Sequence, residues 1–361
     1  MAANTCQKSD GRKYTPEGKP AAVCEKGEFI FAAAALDHGH IFGQTAGLVE
    51  AGGQLKWIYD SDLTRAKNFH EKYPDAQIAR SLDEILADSS VHMVTSAAIP
   101  SERCALGLRV LESGKDYFTD KAPFTTLDQL ASARSAVEKT RRRYMVYFCE
   151  RLHVECAVFA GELVSNGAIG KVVNVIGFGP HRLNASSRPE WFFQKEKYGG
   201  ILTDIGSHQF EQFLAFSGST DATVEHARVA NVCNPDYPEL EDFGEATLLG
   251  NSGASNHTRV DWLTPDGLTT WGDGRTTILG TKGTIELRKY VNVATQKTGD
   301  HLFIVNDDGE QHLELAGKVG FPFFGQLILD CLNRTENAMT QEHAFKAAEL
   351  CLLAQAKADA S

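Results

Sequence analysis

Two textures divide the chain. From residue 28 to residue 150, short apolar runs alternate with amphipathic stretches. The first run, Phe29 to Ala35, is apolar at every position and bounded by polar or turn residues, the pattern of a strand buried on both faces of a parallel sheet. A helix-like stretch through Val49 follows, then a strand over 55–59 that ends at Asp60. The spacing goes on to predict helices over 63–73, 82–87, 102–114 and 127–139, with strands near Ile78 and over 92–96, 116–119 and 144–148. This alternation implies an α/β domain on a doubly wound parallel sheet, residues 28–150.

After residue 150 the pattern changes. A helix over 157–166 leads into the run Val172 to Ile176, and strand-like runs then cover 223–233, 244–249, 256–263, 275–289 and 301–306. Turn signals such as Asn251-Ser252-Gly253, Pro265-Asp266-Gly267 and Asp307-Asp308-Gly309 separate them. Successive strands with few helices predict an α+β domain, residues 151–361, carrying a large, mostly antiparallel open sheet. Amphipathic helices around 323–333 and 341–357 close it. Residues 1–27 lack periodicity and are punctuated by Gly11, Pro16, Gly18 and Pro20, so they read as an N-terminal arm, either a mobile tail or a segment docked on the body or on a neighbouring subunit.

Composition narrows the function classes. At 361 residues the chain exceeds what one core usually serves, and 42% hydrophobic with 23% charged residues is ordinary globular usage. No apolar run reaches membrane-spanning length, and residues 1–27 lack the apolar core of a signal peptide, so a soluble cytoplasmic protein is expected. A net charge of -11 disfavours nucleic acid and anionic membranes as partners. The one basic run, Arg141 to Arg143, reads as a solvated helix end. Eight cysteines without a Cys-x-x-Cys pair read as reduced thiols.

Strand, turn, helix, strand, acid is the order of a dinucleotide-binding Rossmann unit. Its first turn holds a pyrophosphate at a helix N-terminus, and the acid ending its second strand takes the ribose hydroxyls. The turn is Asp37, His38, Gly39, His40 and Ile41, and Asp60 is the acid, which favours NAD over NADP because it would repel a 2'-phosphate. The turn is thin in glycine, with only Gly39 and the later Gly43, so the strand–turn–helix context carries the reading. A metal on Asp37, His38 and His40 is set aside, since no established ligand spacing supports it. Two further turns lie at carboxyl ends of strands, where open parallel sheets bind ligands: Ser96, Ala97, Ala98, Ile99 and Pro100, then Asp120 and Lys121.

The second domain contributes Tyr198 to Glu211, where a glycine pair runs into an acid and a histidine four residues apart. On a helix, Asp204 and His208 share one face beside the apolar stripe Leu202, Ile205, Phe213 and Phe216. Gly199 and Gly200 allow a sharp turn into that helix, and Gly206 within it implies a close approach by some other group. A satisfied core histidine or a polar stripe is the competing reading of the spacing alone.

With Asp120-Lys121-Ala122 and Gly199, Gly200, Asp204, Gly206 and His208 in view, the chain from Glu28 onward resembles the Gfo/Idh/MocA family of oxidoreductases. Gly280-Thr281-Lys282-Gly283-Thr284 and Gly167-Ala168-Ile169-Gly170-Lys171 are lesser matches. The departures are the thin glycine loop, Ala122 where proline stands in the family, and Tyr198 in place of a third glycine. The resemblance implies hydride transfer between a secondary ring hydroxyl of a sugar, glycoside or cyclitol and a nicotinamide. It also implies His208 as base, Lys121 as the cation stabilising charge on oxygen, and Asp204 orienting one or the other. Tyr147, His181, Arg182, Asn184, Trp191 and Tyr198 are the substrate candidates, with a structured surface loop the competing reading for residues 180–192. Their aromatic content favours an aryl glycoside oxidised at carbon 3. An NAD-retaining glycosidase acting by transient oxidation and elimination, and a non-catalytic nucleotide sensor, are the alternatives. The open sheet offers a face for a homo-oligomer.

Overall fold

The computed structural model describes Gly11, residues 16–295 and residues 298–360. The remaining arm positions, including Cys6, lie outside the described residues. The first domain runs β1 (Ile30–Ala34), α1 (His40–Glu50), β2 (Gln54–Tyr59), α2 (Leu63–Lys72), β3 (Gln77–Ile78), α3 (Leu82–Ala87) and β4 (Met93–Ser96). It continues with α4 (Pro100–Glu112), β5 (Asp116–Asp120), α5 (Leu127–Thr140) and β6 (Tyr144–Tyr147). Among the described residues these strands form one parallel six-stranded sheet ordered β3-β2-β1-β4-β5-β6. Phe31, Ala32, Ala33, Met93, Val94, Tyr117 and Phe118 are all buried, which is why β1, β4 and β5 lack polar alternation.

The chain then passes through α6 (Cys149–Leu152) and α7 (Glu155–Ser165) into β7 (Val172–Pro180). Short helices α8 (Lys195–Tyr198) and α9 (Ile201–Asp204) precede α10 (Gly206–Ser217). Next come β8 (Ala222–Ala230), β9 (Phe243–Gly250), β10 (Ser255–Asp261), β11 (Arg275–Gly280), β12 (Gly283–Arg288), β13 (His301–Asn306) and β14 (Gly309–Glu314). Helices α11 (Pro322–Asn333) and α12 (Gln341–Asp359) end the fold. Among the described residues the second sheet has eight strands, β14-β13-β12-β11-β7-β10-β9-β8, antiparallel except for the β7–β10 pair. Two expectations change here. The run 275–289 is a hairpin, β11 and β12 turning at Thr281 and Lys282, and 223–233 ends as a strand at Ala230. Strand β14 has no apolar alternation because it is an exposed edge.

The inner face of this sheet packs on α10. A Cβ on Gly177 of β7 would stand 2.4 Å from Gln209 Oε1, so the glycine sets how closely helix and sheet approach. On the outer face, the cross-strand row Val305, Thr284, Leu279, Asn174, Ser255, Leu249 leaves Val305, Leu279 and Leu249 each more than 45% exposed. The last two helices return to the first domain, where Gln341 Oε1 accepts the Tyr144 N–H (2.8 Å) and Gln341 Nε2 donates to the Tyr144 carbonyl (2.7 Å). The described part of the arm is docked. The Val23 N–H donates to the Ala51 carbonyl at 2.9 Å, Pro20 is buried, and Gly11 lies against the Trp271 ring. Arg141 is exposed at the end of α5, as a solvated helix end would be, but Arg143 is buried against the Thr335 carbonyl and Glu336, which corrects the solvated reading at that position. Seven cysteines among the described residues are free thiols. No helix among them is long and apolar enough to cross a membrane.

Candidate active site

Strands β1 and β4 are neighbours from which the chain leaves toward opposite edges of the sheet. That makes the crevice beyond their carboxyl ends the topological switch point. The His38 N–H donates to the Ala97 carbonyl across it at 2.9 Å. Ala35, with φ of 54°, takes the left-handed turn after β1 where glycine ordinarily stands. Helix α1 begins at His40 with Gly39 as its N-cap, and α4 begins at Pro100 after Ile99. Neither start has a side-chain cap, so the amide donors and positive dipole end of α1 face the crevice. This arrangement fits the diphosphate of a dinucleotide.

The expected nucleotide residues take unequal parts. Ile41 is core, and Ser96 Oγ is turned inward to accept the Ala98 N–H. Asp60 is buried and already committed: Oδ2 accepts the Leu36 N–H at 2.7 Å and lies 3.2 Å from Arg65 Nε, while Oδ1 accepts the Asp62 N–H at 2.7 Å. Arg65 also pairs with Asp37 at 2.6 Å, so one guanidinium is held between two carboxylates. Asp37 is thereby engaged by Arg65 and not by the histidines it precedes.

Asp120, at the end of β5, gathers His38 Nδ1 (3.1 Å), His40 Nδ1 (2.9 Å) and Arg103 Nη2 (3.1 Å). These three donors outweigh burial and hold its carboxyl well below the usual range. His38, His40 and Asp120 offer ligand atoms within 4.8 Å of one another, yet Arg103 and Lys121 stand beside them and oppose a dication. Ring-to-carboxylate hydrogen bonding accounts for the cluster. Arg103 also donates from Nε to the Ala98 carbonyl (2.7 Å) and from Nη1 to the Lys121 and Ala122 carbonyls, fixing the turn that carries Lys121.

Lys121 Nζ meets Asp204 Oδ1 at 2.5 Å, joining the first domain to the second. The turn into this region depends on Gly199 and Gly200, with φ of 86° and 92°. The expected helix carries one change of bonding: α9 ends at Asp204 and α10 begins at Gly206, yet Ile205 between them keeps helical dihedrals (φ of -76°, ψ of -37°), and the His208 N–H bonds back to the Ile205 carbonyl. A Cβ on Gly206 would meet side-chain atoms no closer than 3.6 Å, so no close approach explains that glycine. Asp204 and His208 nonetheless line one cavity. Among the described residues His208 Nδ1 has no hydrogen-bond partner, and Nε2 lies 3.8 Å from Cys149 Sγ. Burial, with Lys121 adding to it, pushes the His208 ring down to about 3, so it is neutral.

The cavity between the domains is lined by His38, His40, Pro100, Lys121, Tyr147, His181, Trp191, Tyr198, Asp204 and His208, all expected from sequence. Tyr198 offers its ring only, since its hydroxyl donates to the Glu239 carbonyl and accepts the Glu241 N–H, both at 3.0 Å. Arg182 and Asn184 are not among the lining residues. Arg182 is buried and donates to the carbonyls of Pro265 (3.1 Å) and Leu268 (2.7 Å), and Asn184 takes a left-handed turn (φ of 48°). Arg188, within the candidate stretch 180–192, also lines the cavity, whereas sequence reasoning missed Glu150, Trp262, Trp271 and Tyr290. Trp262 and Trp271 stand beside turn-rich stretches, a signal that could have marked them as a wall.

Known proteins share this architecture. Residues 32–148 match the oxidoreductase family with an NAD-binding Rossmann fold, and residues 158–286 match the GFO/IDH/MocA C-terminal domain. The chain is 48% identical to a protein from Erwinia carotovora atroseptica SCRI1043 of known crystal structure, described as a putative oxidoreductase, with a TM-score of 0.89 over 92% of this chain and 99% of that one. It is 27% identical over 150 residues to a D-xylose dehydrogenase of Paenarthrobacter nicotinovorans, which is 40% of this chain and 38% of that protein. It is 25% identical over 237 residues to an NAD(+)-linked scyllo-inositol 2-dehydrogenase of Bacillus subtilis (strain 168), 65% of this chain and 66% of that protein. The chain thus spans less than two thirds of either curated relative. With both domain types matched in order, the chain belongs to the Gfo/Idh/MocA family of oxidoreductases.

Proposed function

We propose that the protein is a nicotinamide-dependent dehydrogenase acting on a secondary ring hydroxyl of a sugar, glycoside or cyclitol. The observation that carries this reading is the Lys121–Asp204 ion pair at 2.5 Å, one partner from each domain, in a cavity that also holds His208. A bound nicotinamide would supply the hydride acceptor. The chain's own residues supply the rest. Lys121 stabilises negative charge on the hydroxyl oxygen, and Asp204, kept ionised by Lys121 against its burial, holds the ammonium in place. His208, neutral and with Nδ1 unpartnered among the described residues, takes the hydroxyl proton. Residues that would hold the dinucleotide are Gly39 and His40 at the α1 start, the turn Ala97 to Pro100, and Asp120 with Lys121.

NAD is the proposed form, because Arg65 is held between Asp37 and Asp60 and offers no surplus positive charge to a 2'-phosphate. Trp191, Trp262, Trp271 and Tyr290 support a substrate with a flat or aromatic portion, and an aryl glucoside oxidised at carbon 3 is the favoured candidate. The free thiols support a reducing compartment such as the cytoplasm. Val305, Leu279 and Leu249, exposed on the outer sheet face, support a homo-oligomer, which light scattering on the full chain would detect. The deciding experiment incubates the protein with NAD and a panel of cyclitols, aldoses and aryl glucosides, following NADH absorbance beside product chromatography. NADH formation with a keto product is expected. Glycoside cleavage without NADH release, or no reaction, contradicts the proposal.

A further inference from the structure

Glu150 is the second residue of α6 and sits on the cavity wall with 2% of its surface exposed. Its two carboxylate oxygens are treated differently. Oε2 accepts from Lys289 Nζ at 2.9 Å and from Gln209 Nε2 at 2.8 Å. Oε1 has no partner among the described residues. Lys289, just beyond β12, is itself fully buried, and Gln209 lies on α10 next to His208, so three elements fix this carboxylate. Burial alone would favour the protonated acid, but the Lys289 ammonium beside it holds Glu150 ionised. An unmade hydrogen bond on a buried carboxylate is costly, and an ordered water or a bound ligand is what completes it.

An ionised carboxylate only accepts hydrogen bonds. Whatever completes Oε1 must therefore donate, and the His208 and His181 rings share this part of the wall. We propose that Glu150 is a specificity-determining residue whose Oε1 binds a second hydroxyl of a neutral polyol ring, beside the hydroxyl presented to His208 and Lys121. This deepens the dehydrogenase reading and rests on it for the nature of the ligand. Lys289 and Gln209 are positioning residues: they tie up Oε2 and leave Oε1 unpaired among the described residues. The arrangement selects vicinal polyols and disfavours ligands carrying a carboxylate or phosphate at that position.

The test uses binding, so that it stands apart from turnover. Affinities of scyllo-inositol, D-xylose and phenyl β-D-glucoside for the full-length protein are measured by calorimetry, followed by the monodeoxy analogues of the tightest binder. Removing the right hydroxyl should weaken binding about 10- to 100-fold, the range of one charge-assisted hydrogen bond. Glu150→Gln should weaken the parent similarly. Because that variant strands Lys289 and keeps an amide oxygen that can still accept, the double variant Glu150→Leu/Lys289→Met is made as well, with thermal stability read alongside. It should recover stability yet bind the parent and that deoxy analogue equally, since the partner they differ by is gone. A double variant that binds the parent like wild type shows Glu150 to be only a partner for Lys289 and overturns the proposal, as does wild type that binds none of the three probes. Selective binding without any NADH formation upholds this assignment and sinks the dehydrogenase reading instead.

Discussion

Lys121, Asp204 and His208 were legible because their types and order match a motif, and each lies beside a glycine or strand end that fixes its place. Other residues were not. Glu150 and Lys289 are 139 positions apart, and nothing in either local pattern says that a strand-end lysine is buried against a helix-start acid. Arg182 and Asn184 have suitable chemistry for gripping hydroxyls, but side-chain direction in a loop is set by tertiary contacts, and the Pro265 and Leu268 carbonyls claim Arg182. Asp60 was placed correctly by the strand pattern, yet its oxygens go to backbone amides and Arg65. That geometry yields a prediction. Asp37→Asn removes one of the two carboxylates on Arg65, so the ratio of kcat/KM for NADP to that for NAD should rise about tenfold, one charged hydrogen bond's worth. Steady-state kinetics with both cofactors check it; an unchanged ratio would show that Arg65 does not face the 2'-position.

Among the elements, those buried on both sides were the clearest to read, since β1, β4 and β5 present apolar runs with no competing period. Edge and hairpin elements were harder. Residues Gly309 to Glu314 are mostly exposed, and the β11–β12 turn is short enough to look like one strand. The α9–α10 segment reads as a single amphipathic helix, and Ile205 between its two parts keeps helical dihedrals, so the local change of hydrogen bonding there hardly moves the apolar stripe. The glycines there separate two physical roles. Gly200 has φ of 92° and ψ of 158°, and a Cβ on it would lie 2.2 Å from Gln355, so Gly200→Ala should cost about 1–3 kcal/mol or more. Gly206→Ala meets only ordinary contacts and replaces glycine in a helix, so it should be neutral or stabilise by up to about 1 kcal/mol. Urea denaturation of both variants checks the contrast, and equal destabilisation would contradict it.

For the whole molecule, the change of texture marks the passage from the six-stranded to the eight-stranded sheet, but not the return of α11 and α12 to the first domain, which depends on contacts such as Gln341 with Tyr144. The domains close over an unusual number of neutral histidines. Burial pushes His38, His153 and His208 down to about 3 and His181 to about 4, from an ordinary value of 6.5. Since the folded values lie below the unfolded one, the unfolded chain binds more protons in that window, and stability rises with pH. The contribution is complete above about pH 6.5 and is lost as pH falls toward the folded values. Unfolding free energy should therefore drop steeply between pH 7 and pH 5, above the range where ordinary carboxylates titrate. A flat profile there would show that these rings are hydrated and protonated in the folded protein.

The central claim is that Lys121, Asp204 and His208 form one hydride-transfer site across the two domains, and His208→Ala tests it most directly. Turnover of the best substrate and the dissociation constant for NAD are measured on wild type and variant. The account predicts a loss of kcat of about 10²- to 10⁴-fold, the usual contribution of a general base, with NAD affinity unchanged. Turnover within about tenfold of wild type would contradict it.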